Sequence, residues 1–324
     1  MAVLEAFDLI NGELQRVEET LRKNIESQVK IIPEVGDYVL KSGGKRFRPS
    51  LALVSARLCG YQGERHINLA SAVEFIHTAS LLHDDVIDEA ELRRGKSSVN
   101  SIWGNKNSIL IGDYLSSRAS SLVAHDGDLR IVKIFSEFIS RMAEGELLQH
   151  AKRKNINLHE DDYLSIIKKK TATLISVACQ VGAILGQSSP EEESALTDFG
   201  LDLGMAFQLK DDCLDYTSEK EELGKGIGAD LKEGKLTLPL LLVLKKCTAQ
   251  EKKAIKKIVS ASVLTKKELT TVADLIDKYE GIDYTLDRAN EYISKAKRHL
   301  DIFPDSPEKY ALQLMADYVI GRKS

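Results

Sequence analysis

Apolar side chains return every three to four residues along most of this chain, which is the period of a helix with one buried face. Leu69, Val73, Ile76 and Ser80-Leu81 stand near that period, and so do Ile134, Phe135, Phe138, Ile139, Met142 and Leu147 within the run from Ile131 to Leu148. Tyr163 to Gly186 and Leu196 to Tyr216 are two further long helical runs. Ser306-Pro307-Glu308 has the order of an N-cap followed by proline at the first helical position, and predicts a last helix from Glu308 to Ile320. Few stretches alternate as a strand would, and only six prolines interrupt the chain. Breaks fall at Gly43-Gly44, Gly60 to Gly63, Gly95, Gly127, Gly186 to Pro190 and Leu223 to Gly234, none with the look of an interdomain linker. There is no fixed-period repeat and no low-complexity tract. The expectation is an all-α fold, a single domain over residues 1–324 with roughly a dozen helices. That length exceeds the usual size for one core, which is easier to understand if the helices surround a deep central cavity.

Composition narrows the function. With 43% hydrophobic and 29% charged residues the chain reads as globular rather than disordered. A net charge of −4 argues against nucleic acid as a partner, although basic residues cluster at 41–48, 152–154 and 168–170. The four cysteines (Cys59, Cys179, Cys213 and Cys247) are dispersed without CxxC spacing, as in a reduced cytoplasmic protein. Residues 1–10 carry Glu5 and Asp8 with no basic segment, unlike a signal peptide. No apolar run is long enough for a membrane span.

Two aspartate clusters of the same spacing carry the chemistry. One is Asp84, Asp85 and Asp88; the other is Asp211, Asp212 and Asp215. The first and last aspartates of each are four residues apart and share a helix face, where like charges repel by a few tenths of a kcal/mol. Paying that twice, beside apolar neighbours, calls for a compensating cation. Carboxylate oxygens are hard ligands and suit Mg²⁺. Arg93-Arg94-Gly95 follows the first cluster within about two turns, and guanidinium groups grip phosphate bidentately. A loop with Gly224, Lys225, Gly226, Gly228, Gly234 and Lys235 follows the second. Gly43-Gly44-Lys45-Arg46-Phe47-Arg48-Pro49 has the makings of an anion cradle at a helix start, without the spacing of a P-loop. His77 lies two turns before Asp84 on the same face, Lys170-Thr171 closes a basic run, and Gln208 precedes Asp211 by three. Singly, each of these also fits a solvated helix end, a basic turn, an exposed loop or a packed histidine. Together they fit a Mg²⁺-bridged diphosphate held between two acidic clusters.

At these motifs the chain resembles the trans-isoprenyl (E-polyprenyl) diphosphate synthases. The resemblance runs from Gly43-Gly44-Lys45-Arg46-Phe47-Arg48-Pro49 through both clusters to Asp230-Leu-Lys-Glu-Gly-Lys235-Leu-Thr-Leu-Pro239. Lys210 departs from the family pattern, while the ligand positions stand. The resemblance implies that Asp84, Asp88 and Asp211 bind Mg²⁺, about three ions per site, with Asp85, Asp212 and Asp215 assisting. It implies that Arg93, Lys170, Thr171, Gln208, Lys225 and Lys235 hold an allylic diphosphate, and that Lys45, Arg48, His77 and Arg94 hold isopentenyl diphosphate. It also implies a homodimer of helical bundles, with peripheral membrane contact for product release.

The prenyl chain is expected to grow from the metal site along the helix that carries Asp84. Ala79 and Ser80, one turn earlier, are small, and an aromatic there would close the floor. One helical turn is about 5.4 Å, close to an extended isoprene unit, so an open floor admits further additions toward a product around C40. Phe75, Ile76, Phe135, Phe138 and Met142 are candidates for the stop. The alternatives are a shorter-chain synthase (roughly C15 to C20 by the same turn length), a terpene cyclase, a non-catalytic subunit of a heteromeric synthase, and an HD-type metal phosphohydrolase suggested by His83-Asp84.

Overall fold

A computed structural model describes residues 6–42, 46–217, 228–261 and 263–322. Lys45 and Lys225 lie outside the described residues. In chain order the helices are α1 (Asn11–Ile25), α2 (Ile31–Lys41), α3 (Phe47–Leu58), α4 (Arg65–Ile87), α5 (Val99–Trp103), α6 (Asn105–Asp126), α7 (Leu129–Ala151) and α8 (Glu160–Ile167). They continue as α9 (Thr173–Leu185), α10 (Pro190–Thr217), α11 (Ala229–Lys232), α12 (Leu238–Lys246), α13 (Ala249–Ser260), α14 (Lys266–Lys278), α15 (Gly281–His299) and α16 (Pro307–Gly321). The fold is all-α, as the periodicity predicts. Sixteen helices rather than a dozen arise among the described residues, partly because short pieces such as α5 and α11 carry no readable period. The sheet found among them is the hairpin β1 (Leu92–Arg93) and β2 (Lys96–Ser97).

Helix α4 is buried on nearly every side, from His66 to Asp85, and so runs through the middle of the bundle. It packs against α6 and α3, while α10 packs against α9 and α15. A single cluster of buried apolar residues extends from Ala6 to Val319. At the last helix Ser306 Oγ accepts from Lys309 N at 3.1 Å with Pro307 at the first position, so the cap read from the sequence is formed.

The run from Tyr163 to Gly186 is one helix by periodicity but three pieces in space. Lys168–Ala172 forms a π-helical turn between α8 and α9. Such turns are rare and collect at functional sites. This one is clamped from both sides by glycines. A Cβ on Gly145 of α7 would lie 2.9 Å from Lys169 Cβ, and one on Gly204 of α10 would lie 2.5 Å from Ala172 Cα. The clamp sets where Lys170 and Thr171 point. Gly204→Val should therefore destabilise the fold by about 1–3 kcal/mol, as overpacking does, read as a lower thermal midpoint. Gly321→Ala, where a Cβ meets nothing within 4 Å, serves as the neutral comparison.

Candidate active site

Both aspartate clusters sit at the C-terminal ends of long helices. Asp84 and Asp85 lie in the last turn of α4 and Asp88 is its cap, donating its backbone N–H to Asp84 O at 2.8 Å. Asp211, Asp212 and Asp215 lie in the last two turns of α10. That end of a helix carries partial negative charge, so carboxylates there are disfavoured unless cations answer them.

Around the first cluster the cations are side chains. Lys170 Nζ is 3.3 Å from Asp84 and also pairs with Glu146. Asp85, 2% exposed, accepts from Arg93 at 2.6 Å. Asp88 takes Lys235 Nζ on one oxygen at 2.7 Å and the Arg153 guanidinium on the other. Burial pushes the Asp88 carboxyl up, but Lys235, Lys170 and Arg153 outweigh it and hold it below the ordinary carboxylate range. The Lys235 ammonium, although buried, is raised in turn by Glu233 and Asp88. Arg93 stands on the hairpin directly after α4. The turn of that hairpin is Arg94-Gly95, with φ of 52° and 75°, the positive values that a two-residue connection of this twist requires.

The second cluster divides among three environments. Asp211 pairs with Arg322 at 2.6 Å. Asp212 is enclosed, accepting from Tyr163 Oη at 2.5 Å and Gln208 Nε2 at 2.8 Å. Burial, and then the neighbouring Asp230, push its pKa well above the ordinary range. Thr171 Oγ1 donates to Gln208 Oε1 at 2.9 Å, so a hydrogen-bonded chain joins the π-helical turn to Asp212. Asp215 accepts from the backbone N–H groups of Ala229 at 3.0 Å and Asp230 at 3.2 Å, at the start of α11.

Two adjoining clefts share Leu81, Asp84, Lys170, Thr171 and Gln208. The first is charged and adds Asp88, Arg93, Arg153, Asp212 and Lys235. The second, of about 520 Å³, is mostly apolar and adds Arg48, His77, Ser80, Met142, Leu174, Phe207 and Asp211. Of the small pair, Ser80 faces this second cleft and Ala79 is 1% exposed within the core. Among the stop candidates Met142 lines it, whereas Phe75, Ile76, Phe135 and Phe138 are core residues. Arg48 Nη1 donates to His77 Nε2 at 3.1 Å, which requires an unprotonated imidazole. Burial and the Arg48 charge lower the His77 pKa well below its usual value, and burial lowers Arg48 to about 10. Arg94, exposed at the hairpin tip, opens onto a neighbouring pocket with Asp85 and Tyr38.

Three residues at the site escape the motifs. Tyr163 serves Asp212, Arg153 serves Asp88, and Arg322 serves Asp211. Arg322 also lies 3.8 Å over the Phe207 ring, with Arg48 at 5.4 Å from that ring, so one aromatic side chain carries two guanidinium groups. Arg153 belongs to a basic run visible in the sequence, but its partner is far along the chain. Nothing local marks Arg322 or Tyr163.

Comparison with known proteins shows the family. Residues 29–276 match the family model "Polyprenyl synthetase". The chain belongs to the polyprenyl synthetase family. It is a trans-prenyltransferase. It is 38% identical over 315 residues to octaprenyl diphosphate synthase of Escherichia coli K12, covering 97% of each chain. It is 33% identical over 329 residues to a short chain isoprenyl diphosphate synthase of Methanothermobacter thermautotrophicus, covering 99% of this chain and 100% of that one. Among solved structures, the polyprenyl synthase from Caulobacter crescentus CB15 complexed with calcium and isoprenyl diphosphate superposes with a TM-score of 0.96 at 38% identity, over 99% of this chain and 98% of that one.

Among the described residues no three acidic, histidine or cysteine side chains converge as a closed metal cage. Open pairs of carboxylates facing a shared cleft suit an ion that keeps its waters and takes further oxygens from a phosphate, which is the habit of Mg²⁺.

The neutral His77 gives a pH test. Its folded pKa lies below the unfolded value of about 6.5, so the unfolded chain binds the extra proton and stability falls as pH drops below that value. Urea unfolding of the protein and of His77→Asn between pH 7.5 and 5 should show the wild-type slope steeper by up to about 1.4 kcal/mol per pH unit. Equal slopes would mean that His77 is not held neutral.

Proposed function

We propose that the enzyme condenses isopentenyl diphosphate with an allylic diphosphate in successive trans additions, giving a long-chain polyprenyl diphosphate around C40. The observation that carries this reading is that Asp84 of the first cluster and Asp211 of the second line one cleft with Arg48, His77, Lys170, Thr171 and Gln208. The charged cleft suits the allylic diphosphate, with Arg93, Lys170, Thr171, Gln208, Lys235 and Lys225 as its ligands. Arg48, His77, Arg94 and Lys45 are the proposed ligands of isopentenyl diphosphate. Asp84, Asp88 and Asp211 are the proposed holders of Mg²⁺, with Asp85 and Asp212 positioning the residues around them. Mg²⁺ bound there would neutralise the diphosphate and make it a leaving group. Leu81, Met142, Leu174 and Phe207 form dry walls that protect the allylic cation from water. The double bond of isopentenyl diphosphate then attacks that cation, and a proton leaves to the departing diphosphate.

The long-chain assignment rests on Ser80, a small residue facing the apolar cleft one turn before Asp84. A homodimer of single-domain subunits is supported by the exposed apolar residues Ile109 and Leu110 on α6 and Ile139 and Leu147 on α7. No helix among the described residues is long and apolar enough to cross a membrane, and a cytoplasmic enzyme touching membranes to release its product is the proposed setting.

Incubation with isopentenyl and farnesyl diphosphates plus Mg²⁺, followed by chromatographic sizing, tests the reading. A product around C40 is expected. Ser80→Phe should shorten it to roughly C20, one addition beyond the farnesyl primer, by closing the cleft one turn from the metal site. Ala79→Phe, placed in the core, should instead lower stability by about 1–3 kcal/mol. Unchanged product length in Ser80→Phe would remove Ser80 as the floor, and absence of elongation in the wild type would remove the synthase reading.

A further inference from the structure

Arg153 belongs to no motif, yet it reaches the centre of the charged cleft. It follows α7 in a turn that is pinned by its neighbour: Lys154 N donates to Gly234 O at 2.8 Å and Lys154 Nζ to Ala261 O at 3.1 Å. The backbone is thus fixed, and the side chain, 19% exposed, extends to Asp88. Arg153 and Lys235 hold different oxygens of that carboxylate. They differ in what each keeps on leaving it. Lys235 retains Glu233 at 2.6 Å. Arg153 Nε is buried and has no hydrogen-bond partner among the described residues, so a guanidinium released from Asp88 is left with donors unanswered in a cleft lined by Lys170, Arg93 and Lys235. A planar fork of donors with a free Nε matches a phosphate group bidentately.

We propose that Arg153 is a further ligand of the allylic diphosphate, passed from Asp88 to the diphosphate once Asp88 engages a divalent cation. The proposal rests on the prenyl-transfer reading of the site. Arg153 and a cation would then be alternative counter-charges for Asp88, so the carboxylate is not left buried unpaired when the guanidinium moves. No bond is made or broken by this exchange; only the partner of the guanidinium changes.

The experiment compares wild type, Arg153→Gln and Arg153→Lys in two binding measurements and one kinetic one. Calorimetric titration of inorganic diphosphate in the presence of Mg²⁺ should show affinity lower by about tenfold in R153Q, with R153K recovering only part, because lysine keeps the charge without the fork. Mn²⁺ binding in the absence of diphosphate, followed by electron paramagnetic resonance, should be equal or tighter in R153Q, since a competitor for Asp88 has gone. The KM for farnesyl diphosphate should rise about tenfold and that for isopentenyl diphosphate should stay within about twofold. Wild-type diphosphate affinity in R153Q, with only a lower melting temperature, would make Arg153 a structural partner of Asp88 and overturn the proposal. Should R153Q fail to fold, R153K decides alone: affinity equal to wild type overturns the proposal, and a loss of about threefold or more supports it. Failure of the wild type to elongate would strike the synthase reading; normal wild-type elongation beside unchanged R153Q affinity would strike this proposal only.

Discussion

Six carboxylates crowded at the negative ends of two helices are the constraint around which this protein is built. Left unanswered, the charges of Asp84, Asp85 and Asp88 would repel one another and the α4 dipole. The answer comes from near and far: Arg93 from the hairpin that follows α4, and, from far along the chain, Arg153 from the turn after α7, Lys170 from the π-helical turn and Lys235 from the segment before α12. Each ion pair is therefore also a tertiary contact. The polar cleft is a joint between elements as well as a place for ligands, and its charges are close to balanced without any ligand.

Positioning those cations requires backbones to approach closely. Gly145 and Gly204 let α7 and α10 close on the π-helical turn from opposite sides, and Gly200 does the same where a Cβ would lie 2.7 Å from Ser176 Cα. A regular helix through residues 168–172 would rotate Lys170 and Thr171 relative to the clefts. The widened turn instead lets Lys170 reach Asp84 while Thr171 reaches Gln208. The buried faces of α9, among them Leu174, Ile175 and Val181, hold the continuation in place.

How much was legible in the sequence depended on range. Periodicity, the cap at Ser306-Pro307 and the repeated aspartate spacing are local, and α4, α7, α10 and α16 stand where they point. The π-helical turn was not legible, since the glycines that let neighbouring helices close on it, Gly145 and Gly204, are distant in sequence. Asp84, Lys170, Thr171, Gln208 and Asp211 share a cleft as their types suggest, but side-chain direction was a coin-toss at neighbouring positions. Ala79 and Ser80 look equivalent in the chain, and one turns into the core while the other faces the cleft. Arg322 and Tyr163 gave no signal, because an arginine after a last helix and a tyrosine in an apolar run acquire meaning only through Asp211 and Asp212.

The repeated spacing conceals a difference of physical kind. Helix α4 leads into a hairpin bearing arginine, so the first cluster is neutralised by side chains, which can let go and reattach elsewhere. Beyond α10 the next described helix is α11, whose first N–H groups hold Asp215. Those first N–H groups have no partner inside the helix, and their direction is set by the backbone rather than by a rotatable side chain. Asp212, enclosed by Tyr163 and Gln208 and pushed toward its neutral form, is equally fixed. Asp211 is paired with a side-chain cation, Arg322, and stands beside the open cleft. Exchange of partners therefore suits the first cluster and Asp211, while Asp212, enclosed by its two side-chain donors, is the fixed point beside them.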